Sequence, residues 1–110
     1  MVEYHYFDGS ANEYVVTPNS ITYHPMTPDR SSSGRYSGGD PWTATISSED
    51  FVRLEDLFKK SIANKTDQIK DRNMGTGMLV ITPGNKSYIF DMGSVQQNEI
   101  EESLVSYQPR

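Results

Sequence analysis

The sequence predicts an α+β fold: a mainly antiparallel sheet of about five to six short strands against one amphipathic helix, with a short C-terminal helix. Three features lead there. Short runs carry aromatic or β-branched residues at alternate positions and are bounded by Gly, Pro and Asn. One central segment repeats apolar residues at three- and four-residue spacing behind a capping signal. The length of 110 residues accommodates one hydrophobic core and leaves no room for two. The expected organisation is a single domain over residues 1–110 with a long Ser/Gly/Pro-rich loop at 25–41.

From Val2 to Phe7, Tyr4 and Tyr6 alternate with Glu3 and His5, the period of a strand with one face buried. Gly9 and Asn12 mark a turn, and Tyr14 to Thr17 and Ile21 to His24 are further β-rich runs. Pro18, Asn19 and Ser20 connect these two tightly, because proline fixes φ and asparagine tolerates a left-handed backbone. The stretch from Pro25 to Pro41 then holds three prolines, three glycines and four serines. It is far longer than the roughly six residues of an ordinary connection. Trp42 to Ile46 resumes the strand pattern.

Ser47 with Asp50 has capping-box spacing, and Glu49 suits the positive end of a helix dipole. Phe51, Leu54, Leu57, Phe58 and Ile62 follow as an apolar stripe, with Arg53, Glu55, Asp56, Lys59 and Lys60 turned away from it. The stripe needs a partner, and the aromatic face of the sheet is the large apolar surface available. Asn64 to Gly77 is polar and predicts a second long connection. Met78 to Thr82 and Ser87 to Met92 form a hairpin around Pro83, Gly84 and Asn85. Ser94 and Gln97 repeat the capping spacing before a short helix lined by Val95, Ile100 and Leu104.

Composition narrows function by exclusion. Ten Lys and Arg against fifteen Asp and Glu give a net charge of -5, which repels phosphate backbones, so no nucleic-acid partner is expected. The adjacent Lys59 and Lys60 complement a helix C-terminus instead. Absence of cysteine removes disulfides, Cys-ligated zinc and thiol chemistry. No apolar stretch resembles a membrane span or signal peptide, so a soluble, cytoplasmic protein with no membrane partner is expected.

Catalytic patterns are thin. His5 and His24 fall in separate strands and become neighbours only in a suitable register; with Glu3 or Asp8, and with Tyr23 nearby, they form the alternative metal or small-molecule site, although no HxH or HxxxH spacing occurs. Ser37 lacks the nucleophile-elbow spacing, and neither Gly34, Gly38 and Gly39 nor Gly75 and Gly77 complete a phosphate-binding motif. The carboxylate pairs Glu55–Asp56 and Glu101–Glu102 diverge by about 100° on a helix and read as solvated faces. The expectation is therefore a non-enzymatic protein without a cofactor or metal.

The 25–41 loop stands apart in composition. Ser33, Arg35, Tyr36, Ser37, Asp40 and Trp42 combine residue types favoured at binding hot spots with adaptable hydrogen-bonding neighbours. They nominate a partner-binding loop on a rigid scaffold, with the Asn64 to Gly77 connection as a second candidate contact and Trp42 as core in the competing reading. The expected function is a protein-protein interaction module, an inhibitor or regulator of another protein. A homo-oligomer is a further expectation, its aromatic surface or exposed sheet edges completed by a symmetry mate.

Overall fold

The computed structural model describes residues 2–27 and 38–109. Alternating side chains in the N-terminal third build three strands, β1 (Glu3–Phe7), β2 (Glu13–Thr17) and β3 (Ser20–His24), which zip into an antiparallel meander. β4 (Trp42–Thr45) adds to the free side of β3. After helix α1 (Ser48–Ala63) come a 3-10 turn (Lys65–Asp67) and the two-residue β5 (Gln68–Ile69). The hairpin β6 (Gly77–Thr82) and β7 (Lys86–Phe90) and helix α2 (Val95–Val105) complete the order. The result is a seven-stranded antiparallel sheet, β4-β3-β2-β1-β6-β7-β5, in which β6 returns to pair with β1.

Register explains the core. Tyr6 opposes Tyr14 and Leu79, Tyr14 opposes Tyr23, and Tyr23 opposes Trp42, so one row of aromatics crosses the sheet on one face. Tyr4, Val16 and Ile21 form the adjacent row. Both helices lie over this face. Phe58 of α1 packs on Tyr4 with ring centroids 4.7 Å apart, and Ile100 and Leu104 of α2 join the same fully buried cluster. Each such side chain contributes about 1.5–3 kcal/mol by leaving water. The predicted pairing of the helical stripe with tyrosine-bearing strands therefore holds.

The α1 N-terminus follows the capping chemistry read from the sequence: Ser47 Oγ accepts from Asp50 N at 3.1 Å, and Asp50 Oδ2 accepts from Ser47 N at 3.2 Å. Its C-terminal carbonyls are tied by Gln68, whose Nε2 donates to Ile62 O at 2.7 Å. That bond holds the segment after α1 against the sheet and lets Gln68 and Ile69 pair with Phe90 and Ile89, so β5 occupies part of the expected 64–77 connection. A strand of two residues has no periodicity for a sequence to display.

The inner face of α2 departs from expectation. Val95 is exposed, and Gln96 and Gln97 are buried beside Ile100 and Leu104. Both glutamines are satisfied: Gln96 Oε1 accepts from Ser61 Oγ at 2.7 Å, and Gln97 donates to Gly75 O at 2.7 Å and accepts from Gly93 N at 2.6 Å. A hydrogen-bonded amide tolerates burial, and no buried side-chain polar atom among the described residues lacks a partner, which an apolar pattern alone does not anticipate. No described helix is long and apolar enough to cross a membrane.

Candidate functional site

The sheet sends its long connections from one end. β1 and β3 finish there at Phe7 and His24, β2, β4 and β6 begin there, and β7 ends there at Phe90. The turn 8–12, both described ends of the loop 25–41, the connection 70–76 and the link 91–94 thus share this end. Tight links fill the opposite one.

The loop is anchored by its scaffold. Asp8 folds the β1–β2 turn back on itself: its Oδ1 accepts from Ser10 N at 2.9 Å and Asn12 N at 3.0 Å, and its Oδ2 accepts from Asn12 Nδ2 at 3.0 Å. Ala11 takes a left-handed conformation with φ 67°, a strained choice for a residue with a Cβ. The folded turn presents buried Asn12, whose Oδ1 accepts from Met26 N at 2.7 Å. Met26 O in turn accepts from Gly38 N at 2.9 Å, and Gly38 O accepts from the Tyr23 hydroxyl at 2.8 Å. Met26 and Gly38 therefore close a neck. A Cβ at position 38 would collide with Asn12 Oδ1, so glycine is required by close approach.

The nominated residues separate at this neck. Ser33, Arg35, Tyr36 and Ser37 lie outside the described residues, on the segment the neck encloses. Asp40 is exposed beside it. Trp42 is partly buried, stacked on Tyr23 at 5.6 Å and edge-on to Tyr14 at 6.2 Å. Its indole roofs the end of the aromatic row, which favours the core reading for this residue.

The Asn64 to Gly77 connection, which the sequence offers as a second part of the docking surface, meets the loop at this end, but sequence reasoning missed the methionines there. Met74 is 92% exposed and Met92 66% exposed, and Met92 packs over Gly75, where a Cβ would meet its sulfur. Gly9 lies so close to Gly75 that a Cβ there would be 2.8 Å from the Gly75 carbonyl. Arg72 Nη2 donates to Asp8 O at 3.3 Å. The two ends of this loop cluster are thereby fastened together, with flexible thioether side chains outward. Isolated methionines in a polar stretch gave no periodic signal.

The histidines sit elsewhere. Alternation sends His5 and His24 to the face opposite the helices, while Tyr23 points into the core, so the three do not share a pocket. β2 separates the two histidine strands, and Glu13 faces His24 in the register. The His5 ring lies between carboxylates, with Nδ1 2.9 Å from Glu13 and Nε2 3.4 Å from Glu3. Among the described residues no group of three or more His, Asp or Glu side chains is placed to hold a metal ion.

One member of each adjacent carboxylate pair turns inward, correcting the expectation of solvated faces. Glu55 accepts from the Tyr4 hydroxyl and Glu101 from the Tyr6 hydroxyl, both at 2.8 Å. Asp56 and Glu102 point out, as the helical divergence requires. Burial pushes the Glu101 carboxyl above the usual carboxylate range, with the nearby Asp8 charge adding to the rise and the Tyr6 bond opposing it. Burial and the same glutamate also raise the Tyr6 phenol strongly. These pairs are polar closures of a buried aromatic layer, since a tyrosine hydroxyl under a helix needs an acceptor.

No protein-family model, curated protein or solved structure matches this chain.

Proposed function

We propose that this chain is a non-enzymatic interaction module that grips another protein through the loop-bearing end of its sheet, and that it inhibits or regulates that protein. The observation that carries this reading is the neck. Asn12 and Tyr23, both buried, fix Met26 and Gly38, so the scaffold holds both points from which the 28–37 segment departs. A loop tethered in this way loses less entropy on binding than one hung from frayed ends. The exposed Met74 and Met92 beside it extend the same end with adaptable apolar surface. Arg35 and Tyr36 then serve as the anchors, with Ser33, Ser37 and Asp40 as polar contacts around them.

The test is affinity capture followed by calorimetry with the purified captured protein. Replacing Arg35 and Tyr36 together by alanine leaves the thermal midpoint unchanged and weakens binding at least tenfold. Equal affinity for the variant would remove the loop from the interface.

A further inference from the structure

The outer edge of the sheet carries a self-complementary strand. β4 is terminal in the sheet, paired with β3 on one side and with no described strand on the other. Natural edges are usually blunted by a charge, a proline, a bulge or extreme shortness. At the other edge β5 has only two residues and runs into Lys70, Asp71 and Arg72. β4 is short, at four residues, and follows Asp40 and Pro41, but Trp42, Thr43, Ala44 and Thr45 themselves carry no charge and no proline.

Hydrogen-bond alternation identifies what that edge presents. Ile46 N donates to Asn19 O at 3.1 Å, and the register pairs Thr45 with Ser20 and Ala44 with Ile21. Ile46, Ala44 and Trp42 therefore direct their backbone groups toward β3, while Thr43 and Thr45 direct theirs outward. An antiparallel partner that satisfies both must place a hydrogen-bonded pair at each of them. A second copy does so when Thr43 of each copy opposes Thr45 of the other.

We infer that this chain associates through β4 into a two-fold dimer with one continuous sheet, in that register. Several properties of the strand fit. Every outward N–H and C=O of Thr43 and Thr45 is satisfied reciprocally, and cross-strand threonine pairs are favourable. The dyad falls between the Ala44 residues, a non-hydrogen-bonded position where Cα atoms approach to about 4.5 Å and a small side chain is wanted. Trp42 lies opposite Ile46 of the second copy, on the apolar side. The aromatic surface itself is covered by the chain's own helices, so the edge, rather than that surface, is what a symmetry mate completes. Because the strands run antiparallel, the two loop-bearing ends point in opposite directions. So short an interface holds in the micromolar to millimolar range.

Sedimentation equilibrium of the full chain up to about 1 mM tests the association: the average mass rises toward twice that of the monomer. Thr43→Pro removes an outward N–H and no backbone bond to β3, losing there only the long, exposed bond from the Thr43 hydroxyl to Thr22 Oγ1 at 3.5 Å, so it abolishes the rise while the thermal midpoint moves by no more than a few degrees. Register is tested separately, since the chain has no cysteine. Under mild oxidation Ala44→Cys cross-links through a thiol at the dyad, whereas Thr43→Cys does not, its copies being diagonal and beyond the roughly 7 Å Cα limit for a disulfide. A chain that stays monomeric at the highest concentration, a dimer untouched by Thr43→Pro, or cross-linking as fast at position 43 as at 44 would each overturn the inference. So would Thr43 and Thr45 amides protected from exchange only when a different protein is added.

Discussion

Glu101 combines two roles that pull against each other. As an acceptor it satisfies the Tyr6 hydroxyl, which has no exposure to water; as a carboxylate it carries charge into a partly buried place beside Asp8. Its folded pKa is raised, so the native state holds the proton more tightly than the unfolded chain. Stability from this group is full below the ordinary carboxylate pKa and is lost as pH rises through the folded value. Glu101→Gln keeps an acceptor for Tyr6 and removes the charge. It should flatten that part of the stability-pH curve and leave the variant as stable as the parent or more so at pH 7, as read by urea unfolding across pH. A variant that retains the parent's slope would place the proton linkage elsewhere. Such residues were illegible in sequence, because helical divergence says that one of Glu101 and Glu102 turns away from the other, and only the position of Tyr6 says which one turns in.

Elements were more legible than residues. The α1 segment announced itself through Ser47, Asp50 and the stripe from Phe51 to Ile62, and each of these signals is local: a hydroxyl three residues from an amide, an apolar residue every turn. The alternating aromatics of β1 to β3 were readable for the same reason. What failed was tertiary. β5 exists because Gln68 ties to the end of α1, and Val95 yields its inner position because Gln96 finds Ser61. Ser47→Ala tests the local part of this account. It should cost about 1 kcal/mol, typical of a lost N-cap, without changing the denaturant dependence of unfolding. A cost near zero would mean that packing of Phe51 against Tyr4, rather than the cap, sets where α1 begins.

At the scale of the molecule, the chain divides its labour between two faces and two ends. One face of the sheet is buried under α1 and α2; the other leaves Phe7, Val15, Met78, Val80 and Ile89 half-covered around the His5 carboxylate cluster. One end has tight turns, the other has every long connection. Composition had singled out the 25–41 stretch, but the neck depends on Asn12, a turn residue more than ten positions away whose burial no pattern foretold. If that neck belongs to the scaffold, the segment beyond it is dispensable for folding and indispensable for binding. Excising residues 28–37 and joining Thr27 to Gly38 through Asn-Gly, a sequence suited to a tight turn, separates the two properties. Differential scanning and titration calorimetry on that variant should give a thermal midpoint within a few degrees of the parent and no heat of binding to the captured protein. An undiminished binding heat, or a variant that no longer unfolds cooperatively, would contradict the division between scaffold and loop.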